Sequence, residues 1–86
     1  MEKYYFTYGT AGHPYSGGWT EVVAPDMDTA CNMFNAVHPG KYGLLNCAAV
    51  YTESQMKNTT MYENGNFGVK CREIITINIM EEQDNG

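Results

Sequence analysis

The chain has 86 residues and a formal net charge of −5, from ten acidic and five basic residues. This length suits one domain with a small core, and the acidic balance argues against nucleic-acid wrapping, which needs a basic face. No run approaches the ~18 apolar residues of a membrane span, and the first residues lack the pattern of a signal peptide. We therefore predict a cytoplasmic protein with one domain over residues 1–80 and an acidic disordered tail over residues 81–86.

The first two predicted elements are strands joined by a glycine-rich loop. In residues 3–8 (KYYFTY), one face would carry Tyr4, Phe6 and Tyr8 and the other Tyr5 and Thr7. This alternation is typical of a strand with a strongly aromatic face. Residues 19–24 (WTEVVA) predict a second strand, antiparallel to the first because no crossover helix separates them. The loop between them contains the stretch GTAGHPYSGGW.

A helix is the clearest predicted element after this hairpin. Asp26 is a good N-cap, and apolar residues recur at helical spacing on one face as far as Val37. The following His38, Pro39 and Gly40 end the helix, because proline cannot continue it and glycine permits a turn.

The second half of the chain predicts shorter elements. Residues 40–47 form a connection and residues 48–51 a short strand, and Thr52 with Gln55 makes a capping box for a helix over residues 53–58. A turn at Asn64-Gly65 lies in a second glycine-aromatic loop, and residues 71–80 predict a central strand. The order β-β-α-β-α-β indicates an α+β fold, in which one main and one short helix pack on one face of a largely antiparallel sheet.

The cysteines raise the question of metal binding or catalysis. Cys31, Cys47 and Cys71 are odd in number, which favours reduced thiols over a disulfide scaffold. Together with His13 or His38 they have the chemistry of zinc ligands, but no two of them show the close spacing of structural zinc sites. Cys47 or Cys71 could act as a nucleophile with His38 as base, yet no catalytic motif surrounds them. We predict a protein that is not an enzyme and has neither metal nor cofactor.

The two glycine-aromatic loops form the candidate binding surface. Glycines let backbone N–H groups approach an anion, and aromatic rings beside them can stack a base or clamp a peptide. In the alternative interpretation the glycines only serve turns with positive φ, and Trp19 and Phe67 close the edges of the core. The candidate binding residues are Tyr15, Trp19, Tyr62 and Phe67 for stacking, with Lys70 and Arg72 for phosphate. Seven tyrosines and six methionines exceed the need of one small core, so we also expect an exposed aromatic face for a protein partner or a homodimer.

Two motifs of the chain are a Gly-Gly-Trp after the first strand and a Gly-Asn-Phe-Gly before the last. They belong to five stretches, KYYFTYGT, GGWTEVVAPDMDTAC, VHPGKYGLLNC, VYTESQMKNTTMYENGNFG and CREIITI. Over about residues 3–78 these stretches resemble a group of short uncharacterised proteins encoded by phages, prophages and other mobile elements. The resemblance implies a protein of the host cell cytosol that acts against host immunity, and it implies no catalytic residues.

Two functions follow as predictions, and a third is a minor alternative. In the first, a non-enzymatic protein of a phage or mobile element docks its acidic aromatic surface on a host defence protein such as a CRISPR effector nuclease. In the second, an oligomeric sponge sequesters a nucleotide second messenger between the loops of paired subunits. The minor alternative is a cysteine- or metal-dependent enzyme. Neither main function involves a membrane or direct binding to DNA.

Overall fold

The computed structural model describes residues 1–9, 16–40 and 46–77. The predictions for His13 and Tyr15, for residues 41–45 of the connection, for the end of the last strand and for the acidic tail lie outside the described residues. The described elements are β1 (Glu2–Thr7), β2 (Trp19–Ala24), α1 (Met27–Val37), β3 (Ala49–Thr52), α2 (Glu53–Lys57), α3 (Met61–Asn64) and β4 (Cys71–Thr76).

The strands form one sheet in the order β3-β1-β2-β4, which confirms the α+β class. β1 pairs antiparallel with β2, as the hairpin prediction requires. It also pairs antiparallel with β3. β4 pairs parallel with β2, so the sheet is mixed. The prediction that the last strand is central was wrong, because β4 lies at an edge of the described sheet.

Helix α1 covers one face of the sheet. Its N-cap is Asp26, whose side chain accepts a hydrogen bond from the backbone N–H of Thr29 at 2.8 Å. On the buried side, the ring of Phe34 stacks on that of Phe6 with 4.2 Å between centroids. Tyr4, Tyr8 and other buried residues surround this stack, which is the centre of the larger core cluster.

Helices α2 and α3 cover the opposite face, which corrects the prediction that both helices pack on one face. Thr52 and Gln55 form the predicted capping box at the start of α2, and Met56 is buried with Tyr5 and Trp19 in a second core cluster. The helices divide between the two faces of the sheet because successive side chains of β1 alternate between those faces. Tyr5 is as deeply buried as its neighbours Tyr4 and Phe6, so both faces carry aromatic surface that has to be removed from water.

Candidate functional site

The two glycine-aromatic loops lie against each other. The backbone N–H of Gly18 donates to the carbonyl of Asn66 at 3.0 Å, and the side-chain amide of Asn66 donates to the carbonyl of Gly18 at 3.2 Å. The N–H of Trp19 donates to the carbonyl of Lys70 at 3.3 Å. The loop that precedes β2 therefore holds the segment that leads into β4.

Glycine is required where these loops meet. Gly18 has a φ of +75°, and a Cβ atom on it would lie 2.5 Å from the carbonyl oxygen of Lys70, closer than atoms can pack. Gly17 has a φ of +90°, and its N–H donates to the carbonyl of Tyr8 at 2.5 Å. These two N–H groups, which the sequence suggested for an anion, donate to carbonyl oxygens of the protein itself.

Two of the candidate aromatic residues belong to the second core cluster. Trp19 is only 4% exposed, and its ring meets that of Tyr5 edge-to-face at a centroid distance of 6.4 Å. Tyr62 is partly buried and also meets Tyr5 edge-to-face, at 6.2 Å, while the ammonium of Lys57 lies 5.9 Å from its ring centroid. Trp19 therefore closes the core, as the alternative interpretation held, and does not offer a free ring for stacking.

Phe67 has the opposite environment. Its side chain is 65% exposed, and its backbone has a φ of +53°, the one positive φ of a non-glycine residue in the described part of the chain. The neighbours Asn66 and Val69 form a β-bridge, with backbone hydrogen bonds of 2.8 Å and 3.0 Å between them. Phe67 thus lies at the tip of a tight turn whose two ends are bonded to each other.

Lys70 and Arg72 follow Phe67 and are both exposed. The guanidinium of Arg72 lies over the first loop, where Nη1 donates to the carbonyl of Gly17 at 3.4 Å. We call Phe67, Val69, Lys70 and Arg72 the loop surface. The structure thus brings together three of the six candidate residues, Phe67, Lys70 and Arg72, and leaves Trp19 and Tyr62 on the second core cluster.

A polar cluster on the α1 face was not predicted. The hydroxyls of Tyr8 and Thr20 are 2.5 Å apart, and Thr20 Oγ1 donates to Glu73 Oε2 at 3.0 Å. Because the Thr20 proton goes to Glu73, Tyr8 is the donor to Thr20. The same Oε2 atom is bonded to Nε2 of His38, the C-cap residue of α1. The cluster therefore ties α1, β1, β2 and β4 together.

These groups, with Arg72, line a cavity of about 150 Å³. Burial raises the pKa of Tyr8 to about 12, and the nearby Glu73 charge adds to the rise although the Thr20 hydrogen bond opposes it. For Glu73, burial opposes ionisation, but hydrogen bonds from His38 and Thr20 and the charges of His38 and Arg72 outweigh it, so that its pKa lies below the usual range. His38 and Glu73 are 35 positions apart, and no local pattern in the sequence joins them.

Cys47 and Cys71, the two candidate nucleophiles, have thiols whose pKa is raised. Burial raises the pKa of the Cys47 thiol, and the nearby Cys31 adds to the rise. Burial also raises the pKa of the Cys71 thiol, whose Sγ donates to the carbonyl of Glu73 at 3.3 Å. A reactive cysteine needs a lowered pKa, because the thiolate is the nucleophile.

Within residues 1–9, 16–40 and 46–77, no group of three or more His, Cys, Asp or Glu side chains is placed to hold a metal ion. Among the same residues, no helix combines the length and the apolar character needed to cross a bilayer. No protein-family model, curated protein or solved structure matches this chain.

Proposed function

We propose that this chain is a non-enzymatic protein-binding domain and that Phe67 is the anchor of its contact surface. The observation that carries the proposal is the combination of a positive φ with an exposed aromatic ring at Phe67. A left-handed backbone is costly for a bulky residue, and burial of this ring within the described chain does not offset the cost. Strain of this kind clusters where proteins clamp a ligand or partner.

The surroundings of Phe67 favour binding because they are fixed in advance. Asn66 is bonded to Val69 within the turn and to Gly18 across the loops. A ring presented on such a turn loses little conformational freedom when a partner covers it. Aromatic side chains, phenylalanine among them, are also enriched in interfaces relative to the rest of the protein surface.

The charge of the loop surface indicates the kind of partner. Lys70 and Arg72 are exposed beside Phe67 and Val69, and residues 64–72 contain no acidic residue. Such a surface complements an acidic patch on another protein. It differs from the acidic docking face expected from the sequence, so under this proposal the protein inhibits its target by covering a protein surface and not by imitating nucleic acid.

The target class follows from the sequence resemblance, and it stays a prediction. A host defence protein such as a CRISPR effector nuclease is the partner that this resemblance implies. The nucleotide-sponge alternative has weaker support, because the N–H groups of Gly17 and Gly18 donate to protein carbonyls and the ring of Trp19 is buried.

A binding assay with a panel of purified CRISPR effector nucleases tests both parts of the proposal. We expect the wild-type protein to bind an effector and to slow its cleavage of target DNA. Phe67→Ala should bind at least about tenfold more weakly, since loss of an anchor side chain costs about 2 kcal/mol or more. Val37→Ala is the matched control, because Val37 is an apolar residue on α1 that is 51% exposed and does not belong to the loop surface.

The outcomes test the contact surface and the target class separately. An unchanged affinity of Phe67→Ala would show that Phe67 is not the anchor. Binding to no effector in the panel would contradict the target class. Thermal unfolding of both variants is measured alongside, so that a loss of binding is attributed to the surface only where the fold is intact.

A further inference from the structure

We propose that the partner adds an extended acidic segment as a further strand along the outer edge of β4. This inference rests on the proposed function and names the partner of the same surface. β4 lies at the end of the sheet order β3-β1-β2-β4. Within residues 1–9, 16–40 and 46–77, only β2 pairs with it, so its other edge is open in the described structure.

The backbone of β4 is suited to accept a strand. In a strand, alternate residues direct their N–H and C=O groups to opposite sides, so an edge strand offers a row of them outward. Proteins commonly protect such edges with charged side chains or proline. β4 has no proline, and its two charged residues, Arg72 and Glu73, lie in its first half, so Ile74–Thr76 has neither protection. The register irregularity of β4 falls at its start, which leaves Glu73–Thr76 regular.

The side chains of β4 leave apolar surface for an added strand to cover. Ile75 packs against the α1 core cluster, so Ile74, one position earlier, points to the other face, where it is 61% exposed. A strand placed beside β4 brings its own side chains next to those on the same face. It would cover Ile74.

Charge decides which kind of strand fits. Lys70 and Arg72 are exposed at the start of β4, while the carboxylate of Glu73 is already bonded to His38 and Thr20. Residues 70–73 therefore carry two bases and one carboxylate, a net charge of +1, and part of the Arg72 charge is balanced by Glu73. A second copy of this chain would bring the same two bases and the same engaged Glu73, so an acidic segment of another protein is the better complement.

Amide hydrogen exchange on the full ¹⁵N-labelled chain tests this proposal. The probe is a short synthetic peptide of alternating glutamate and valine, and the control peptide has lysine in place of glutamate. We expect the acidic peptide to slow exchange of outward-facing β4 amides at least about tenfold, because an added strand takes up their hydrogen bonds. The lysine peptide should leave exchange unchanged. The amides of β3, at the other end of the described sheet, provide an internal control.

Three results would overturn the proposal. They are an acidic peptide that leaves the β4 amides unchanged, equal effects of the two peptides, and β4 protection that rises with protein concentration in the absence of peptide, which would indicate a second copy. The proposed function is tested separately by Phe67→Ala. Suppose that this variant no longer binds an effector that the wild-type chain binds, while the β4 amides stay unprotected in the wild-type complex. The loop surface is then supported as the contact surface, and strand addition is wrong.

Discussion

Gly18 and Asn66 exchange two hydrogen bonds, one from the backbone N–H of Gly18 and one from the side-chain amide of Asn66, at 3.0 Å and 3.2 Å. They are 48 positions apart in the chain, and Asn66 is buried. Because one residue lies just before β2 and the other before β4, this pair sets where the parallel strands begin.

Gly18→Ala should therefore destabilise the protein strongly. The new Cβ would lie 2.5 Å from the carbonyl oxygen of Lys70, at a φ of +75°, and we expect a loss of about 2–4 kcal/mol in the free energy of unfolding. Gly68→Ala is the control, since Gly68 has a φ of +78° but no atom within 4 Å of an added Cβ. It should cost about 1 kcal/mol. Urea unfolding measures both, and equal losses would contradict the close approach at Gly18.

Trp19→Ala should lower the free energy of unfolding, because Trp19 belongs to the core and not to the contact surface. Trp19 is buried against Tyr5 and Met56, and removal of a buried tryptophan ring costs about 3–5 kcal/mol. Phe67→Ala should change the free energy of unfolding by less than about 0.5 kcal/mol, because the ring is exposed. Denaturant unfolding compares the two variants. A Trp19→Ala protein with wild-type stability and lost binding would return Trp19 to the contact surface.

Phe34→Ala should remove most of the stability of the larger core cluster. Phe34 stacks on Phe6 with 4.2 Å between ring centroids and an interplanar angle of 8°, and we expect a loss of about 3–5 kcal/mol. Val37 lies one turn after Phe34 on α1 and is 51% exposed. The free energy of unfolding of Val37→Ala should therefore stay within about 0.5 kcal/mol of the wild-type value. Urea unfolding of the two variants measures both losses. Equal losses would contradict the contribution of the Phe34–Phe6 stack to stability.

Glu73→Gln should change how stability depends on pH. The folded pKa of Glu73 lies below the usual range, so the unfolded chain binds a proton more readily than the folded one at intermediate pH. The contribution of Glu73 is therefore complete above the ordinary value of about 4.3 and is lost as pH falls through the lower folded value. At neutral pH we expect the variant to be less stable by about 0.5–1 kcal/mol, a small amount because the carboxylate is partly exposed.

Thermal unfolding of the wild type and Glu73→Gln over a series of pH values makes this comparison. The difference between them should shrink as pH falls below about 4. Glu63→Gln removes a carboxylate from an exposed position on α3 and controls for the change in net charge. A constant difference at every pH would show that Glu73 does not act through its ionised form.

The local elements of this fold are predictable because their signals are local. Asp26 caps α1 within three residues, and Thr52 with Gln55 caps α2 over the same distance. The alternation of Tyr4, Tyr5 and Phe6 likewise predicts the strand and its two faces. It does not say which helix covers which face, because that depends on how the chain crosses the sheet between β2 and β3.

The site could be predicted only in part for the same reason. Phe67, Lys70 and Arg72 are near one another in the sequence, so their shared surface follows from their spacing. The bonds of Glu73 to Thr20 and His38 join residues that are 53 and 35 positions apart. They depend on β4 being parallel to β2 at an edge, and the isoleucines of β4 predicted a central strand instead.

The late position of β4 in the chain has a consequence for the lifetime of the protein. Thr20 and Glu73 close a loop of 53 positions, whereas β1 and β2 form a hairpin. Long loops form slowly because closing them costs entropy, so we expect β1, β2 and α1 to assemble first and β4 to join last. Opening of β4 in the native state would expose this strand to proteases. A partner bound at this edge would slow proteolysis, so the abundance of the protein in a cell would follow that of its target.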